Sequence, residues 1–319
     1  MHRGLARLIC AAFIGLFAST AANAQQLLAE KHSLTGFAAR KIIEVCLAQA
    51  ARDHFPVALA VVDPAGYLLS YQAADGATGN TGETAQLKAK TAARFRRSTA
   101  ELYDRINKQV NRAPEWQGYF AIPGGYPILA GGEVVGAIGV GAAGLSGGKD
   151  EDCAQSAVKT VMGDGKSAPP PSPQPLIATY KVLTADAARK LAEACIAYAG
   201  ANRIRGISAS VVDPDGNLLS FQSTNGTSSN GLKSAQLKAV TAAHWRRATA
   251  DLFQRVNTKA NRAPEWKGDF PEPGGFPIFI GNDIVGAIGA GGGAGNQDSQ
   301  CAEAAVKTVF PNAATARAS

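Results

Sequence analysis

Two sets of polar residues occur twice in this chain at matching positions, and they are where chemistry would first be sought. One is Gln86, Lys88, Thr91, Arg96 and Arg97, matched by Gln236, Lys238, Thr241, Arg246 and Arg247. Lysine offers a point charge and arginine a planar fork, so both suit an anionic group. Their spacing does not put all of them on one helical face, so some must point to solvent. Lys88 and Arg97, with Lys238 and Arg247, are the candidates for meeting an anion. The alternative for most of the set is the charged outer face of an amphipathic helix. The second set is Asn111-Arg112-Ala113-Pro114-Glu115-Trp116, repeated as Asn261-Arg262-Ala263-Pro264-Glu265-Trp266. It is longer and more polar than a turn requires, and ordered loops of this kind often carry function. Arg112, Trp116, Arg262 and Trp266 are its ligand-binding candidates, with Trp116 and Phe120 lining a pocket that leads to Pro123-Gly124-Gly125. The alternative is a loop that caps the sheet or meets another copy.

Hydrolytic chemistry finds no support. There is no G-x-S-x-G elbow, no H-E-x-x-H, and no phosphate loop of the G-x-x-x-x-G-K-[ST] type. Asp63 and Asp213 sit in Asp-Pro-x-Gly turns, whose own geometry accounts for them. Beyond residue 24 the chain has Cys46, Cys153, Cys195 and Cys301. They lack CxxC spacing and share no repeated histidine, which argues against zinc. Each copy keeps one cysteine in its first helix and one near the start of its last. In an oxidising compartment this predicts two disulfides, Cys46–Cys153 and Cys195–Cys301. Four buried free thiols are the alternative.

The elements that must position these residues are set by an internal duplication. Val61-Val62-Asp63-Pro64 recurs as Val211-Val212-Asp213-Pro214, and Gly136-Ala137-Ile138-Gly139 as Gly286-Ala287-Ile288-Gly289, each 150 positions later. Two long copies mean a duplicated domain and not a solenoid. In one unit, Thr35 caps a first helix through Cys46, as Thr184 does in the second copy. A strand at 57–62, an Asp-Pro-Ala-Gly turn and a strand at 67–72 make a hairpin. Helices follow at 84–99 and 100–110, then an ordered loop at 111–122. A second hairpin uses 126–129 and 134–141, and a helix at about 150–161 closes the unit. Gly144 to Gly148 and Gly291 to Gly295 read as flexible connections into that helix. This α-β-β-α-β-β-α order predicts an α+β fold, an antiparallel sheet with flanking helices, duplicated in tandem.

Between the copies, Ala168-Pro169-Pro170-Pro171-Ser172-Pro173-Gln174-Pro175 should form an extended spacer. At the start, Arg3 and Arg7 precede the apolar run Leu8 to Ala18 and the small-residue sequence Ala22-Asn23-Ala24, the three parts of a secretory signal peptide. The boundaries are then a signal peptide at 1–24, a first domain at 33–163, a linker at 164–180 and a second domain at 182–311. The chain of 319 residues, 46% hydrophobic and 18% charged, is long enough for two cores. Aromatic residues make up 7% and glycines number 35, so small residues should do much of the packing. The formal charge of +7 is mild. It favours an anionic ligand or is simply a basic soluble surface.

The strand ending Val-Val-Asp, the Leu-Leu-Ser return, the Lys/Ala/Thr helix, Pro-Gly-Gly-x-Pro-Ile, Gly-Ala-Ile-Gly and the Cys-Ala helix together resemble the GlcG/HbpS-like heme-binding family. Its fold also occurs in the C-terminal part of PduO-type proteins. The likeness covers roughly 35–162 and 184–310. It implies a profilin-like domain that assembles into oligomers, and heme as the cofactor. The anion met by Lys88 and Arg97 would then be a propionate or a phosphate. Histidine is the commonest ligand type, and His32, His54 and His244 are available. His244 is the metal-ligand candidate, because Trp245, Arg246 and Arg247 follow it on the same helix. Arg94 replaces it in the first copy, so the two copies cannot ligate alike. Tyrosine or lysine as the ligand stays open.

The reading is therefore a periplasmic or secreted small-molecule binding protein for heme or a related tetrapyrrole. It would have no nucleic-acid partner and no membrane span. Its two domains would form a pseudo-dimer, and the chain a homo-oligomer. A non-enzymatic assembly or accessory protein of an exported redox system is the alternative. A heme-degrading enzyme comes third, since no catalytic group recurs in both copies.

Overall fold

The computed structural model describes residues 27–142, 148–266, 268–294 and 296–315. The proposed signal peptide and most of the Gly144 to Gly148 connection lie outside the described residues. The chain forms two compact units. The first comprises residues 32–179, and the second joins residues up to 31 to the chain from 180 onward. β1 (Leu28–Leu34) thus carries the chain from the second unit into the first, and β6 (Ile177–Leu183) carries it back.

The first unit opens on α1 (Gly36–Arg52), where the Thr35 hydroxyl accepts the Ala38 N–H at 3.2 Å as the N-cap. β2 (Val57–Val62) and β3 (Leu68–Ala73) follow as a hairpin. α2 (Gly79–Phe95) begins a turn and a half before the sequence suggests, because Thr78 caps it despite the glycines in its first turn. It ends at Arg96, whose φ of 56° is left-handed. Ser98 then caps α3 (Thr99–Asn107). The expected loop at 111–122 contains a single helical turn, α4 (Ala113–Trp116), where the Asn111 side chain accepts the Ala113 N–H at 3.0 Å. β4 (Gly125–Ala130), β5 (Glu133–Ala142) and α5 (Gly148–Met162) complete the unit.

The four strands run in the order β3-β2-β5-β4, and every pair is antiparallel. All six residues of β2 are buried. Val57, Leu59 and Val61 face one core with Ile42, Cys46, Ile138, Cys153 and Met162, from α1, α5 and the sheet. Ala58, Ala60 and Val62 face the other core, with Ala85, Ala89 and Ala92 of α2. Large side chains on one face and alanines on the other let α2 lie close to the sheet. At Gly139 a Cβ would collide with the Ala85 carbonyl.

The second unit repeats this plan. Thr184 caps α6 (Ala185–Ala201), followed by β7 (Ser208–Val212), β8 (Leu218–Ser223), α7 (Ser229–Trp245), α8 (Thr249–Asn257) and α9 (Ala263–Trp266). β9 (Gly275–Ile280), β10 (Asp283–Gly291) and α10 (Gln297–Val309) close it, with strand order β8-β7-β10-β9. Each unit also takes up a segment preceding the repeat of the other. In the first, Leu176 is buried, its carbonyl accepts the Thr35 N–H at 3.0 Å, and the Thr35 hydroxyl donates to the Pro175 carbonyl. In the second, Leu27 is buried and its carbonyl accepts the Thr184 N–H at 2.9 Å. Lys31 then bonds Asp215 at 2.6 Å and stands 3.4 Å from Asp213. Burial alone would lower the Lys31 pKa. The hydrogen bond and charge of Asp215, with Asp213 behind it, reverse this and hold it well above the ordinary lysine value.

The cysteines stand in the expected pairs. Cys46 on α1 meets Cys153 on α5, and Cys195 on α6 meets Cys301 on α10, with Cα–Cα distances of 5.4 and 4.8 Å. All four are fully buried.

Candidate functional site

The residues shared by both copies converge on the Pro-Gly-Gly turn, and there they build structure. Lys88 points inward from α2 and is buried. It donates to Asp150 Oδ2 at 2.6 Å and to the Val140 carbonyl at 2.8 Å. Gly124 has φ +119°, and a Cβ there would stand 2.7 Å from the Asp150 Cβ, so only glycine fits. Its N–H donates to Glu151 Oε2 at 2.9 Å, and the Gly125 N–H donates to the Thr99 hydroxyl at 2.7 Å. Burial pushes the Asp150 carboxyl above its usual range, although the Lys88 hydrogen bond and charge pull the other way. The second unit repeats the pair as Lys238–Asp298, also at 2.6 Å, and the Gly275 N–H bond to Thr249. These interactions fix the first turn of the last helix against the sheet.

The remaining candidates are placed as follows. Arg97 pairs with Glu101 one turn along the chain, and Arg247 pairs with Asp251 at 3.0 Å. Arg112 and Arg262 are exposed just before α4 and α9. The side chains of Trp116 and Trp266 lie outside the described residues. His244 is exposed at the end of α7, its Nε2 3.4 Å from the Asp215 carbonyl of the β7–β8 turn. His32 meets Glu133 at 2.7 Å, and His54 is exposed in the turn after α1. Among the described residues, no cluster of three or more His, Cys, Asp or Glu could hold a metal ion.

A further opening on the first unit lies elsewhere. A groove of about 540 Å³ runs between the edge strand β3 and α2. Tyr67, Leu68 and Tyr71 come from the turn and strand, and Gly82, Gln86 and Lys90 from the helix. The three strand-side residues are the kind a core would normally claim, yet they are 47%, 50% and 40% exposed. A Cβ on Gly82 would stand 2.5 Å from the Tyr71 hydroxyl, so the phenol sits directly over bare helix backbone. Among the described residues the Tyr71 hydroxyl has no hydrogen-bond partner and Lys90 has no carboxylate partner. The volume lies in the ordinary range for small-molecule sites. Comparing the copies residue by residue would have revealed it. Tyr67, Tyr71, Gly82 and Lys90 stand where the second copy has Asn217, Phe221, Leu232 and Val240. A search for shared residues passes over all four.

The chain thus holds two tandem α+β units, and a groove of small-molecule size lies on the first. The chain belongs to the HbpS-like family, described as "Haem degrading protein HbpS-like", whose model matches residues 34–159 and 183–307. Protein GlcG of Escherichia coli is 30% identical over 102 residues, which are 32% of this chain and 76% of that protein. A double mutant of Streptomyces reticuli HbpS is 32% identical, over 40% of this chain and 87% of that one, with a TM-score of 0.38. Another crystal structure of HbpS is 36% identical over 41% and 91%, with a TM-score of 0.38. Among the described residues no helix is long and apolar enough to cross a membrane.

Proposed function

We propose that this is an exported binding protein for heme or a closely related tetrapyrrole, and that the ligand enters the groove between β3 and α2. Membership of a family described by haem chemistry supports the ligand class. The observation that carries the site is the groove itself, an exposed aromatic wall facing a helix with one free cation. The residues fit the group. Tyr67, Leu68 and Tyr71 offer apolar surface to a flat macrocycle, and Lys90 offers charge to a propionate. Bound heme would supply an iron centre, and the chain's own residues would orient it and shield one face from water.

Hemin titrated into the purified protein lacking residues 1–24 should give a saturating Soret shift. No shift at micromolar protein would reject the function. Export rests on the Arg3, Arg7, Leu8 to Ala18 and Ala22-Asn23-Ala24 pattern. Cell fractionation with N-terminal sequencing tests it, and an intact N-terminus on cytoplasmic protein would reject it.

A further inference from the structure

We infer that the first unit alone takes the tetrapyrrole, and that the Tyr71 phenolate is the iron ligand. This rests on the heme reading above and goes further by naming the donor atom and the unit. Iron in a tetrapyrrole needs an axial donor, and tyrosine oxygen is one of the protein donors it accepts. None of the described histidines lines the groove. His32 is engaged with Glu133, His54 sits in the turn after α1, and His244 Nε2 stands 3.4 Å from the Asp215 carbonyl.

Tyr71 differs from these in three ways. Its ring lines the groove, its hydroxyl has no partner among the described residues, and the facing helix position is Gly82, where any side chain would press on that hydroxyl. The equivalent pair in the second unit is Phe221 and Leu232. The hydroxyl and the glycine beneath it are thus lost together, since a side chain at that helix position would strike the phenol oxygen. Lys90 and Tyr67 are replaced there as well, by Val240 and Asn217, and Lys233 takes the place of Glu83, so the second unit keeps a cation but lacks the phenol. Glu83 also lines the first groove. Its charge opposes a phenolate, and Lys90 on the same helix offsets it. On ligation the phenol proton leaves to solvent and an oxygen lone pair enters the ferric coordination sphere; no electron is transferred.

The test compares the wild-type mature chain with Tyr71→Phe, using hemin and iron-free protoporphyrin IX as probes. Wild-type protein should bind one hemin per chain and show the visible charge-transfer band and resonance Raman modes of a ferric phenolate. Tyr71→Phe should lose those signals. Its hemin affinity should fall by more than the roughly 10–100-fold typical of removing a ligand's supporting hydrogen bond. Its protoporphyrin IX affinity should not change, because the ring and groove remain. Unchanged hemin spectra in Tyr71→Phe would overturn the ligand, and so would equal losses for both probes, since Tyr71 would then act through shape. Two hemins per wild-type chain would overturn the restriction to one unit. A wild-type chain that binds neither probe would instead fail the heme reading itself.

Discussion

Replacing Lys88 by alanine should destabilise the first unit severely. The Lys88 ammonium and the Asp150 carboxylate are 2.6 Å apart, and each side chain is only 4% exposed. Removing the lysine leaves a buried carboxylate without its cation, and breaking a buried pair in this way costs about 3–5 kcal/mol. The Val140 carbonyl also loses a donor. The partner pair gives an internal scale. Lys238 and Asp298 are 6% and 10% exposed, and the Gly293 N–H donates to Asp298 Oδ1 at 2.8 Å. The orphaned Asp298 keeps a donor, so Lys238→Ala should cost less than Lys88→Ala. Urea denaturation followed by circular dichroism measures both. The double variant Lys88→Met/Asp150→Leu should recover much of the loss, because apolar replacement of a buried pair is often neutral. A Lys88→Ala cost below about 1 kcal/mol, the range of exposed pairs, would refute this reasoning. A double variant no better than the single one would refute it too.

Three further outcomes follow from the fold. Cys46→Ser/Cys153→Ser opens a cross-link between residues 107 apart and should cost roughly 2–5 kcal/mol in urea titration; peptide mapping without reductant should recover both linked pairs. Lys31→Met should change the alkaline limb of the second unit's stability. Since folding raises the Lys31 pKa, its contribution is complete below the ordinary lysine value and fades as pH rises through the raised one; melts at increasing pH should show the wild-type advantage shrinking, and a constant advantage would contradict the sign. Deleting residues 27–31 should remove the buried Leu27, worth about 1.5–3 kcal/mol, and hydrogen exchange should quicken in α6 and β7 while α1 and β2 are unaffected.

The sheets were legible because β-rich runs and hairpin turns are local. The β-rich run Val57 to Val62 led to β2, and the Asp-Pro-x-Gly turn after it set its partner. The cysteine pairing followed from which helices carry the thiols. What stayed hidden depends on distant partners. Lys88 reads as a candidate for an anionic ligand or as part of a charged helix face, and its burial is decided by Asp150, 62 positions on. β1, between the signal peptide at 1–24 and the first helix, and β6, across the end of the linker at 164–180, were not read as strands, because their partners lie in the opposite half of the sequence. The start of α2 was obscured by Gly79 and Gly82, poor helix formers that Thr78 overrides. At the groove the informative signal was a difference between the copies, at Tyr71 and Gly82, whereas shared residues pointed to the turn.

The passage of the chain through β1 has a consequence for biogenesis. Leu27 precedes the first repeat but waits for Thr184, and Lys31 waits for Asp213 and Asp215. A ribosome delivers those partners only after the whole first repeat has emerged, so the leading segment stays unsatisfied throughout that interval. Closing so long a loop is slow relative to local folding. The second unit therefore matures late by construction, and its earliest-made residues are among the last to be secured.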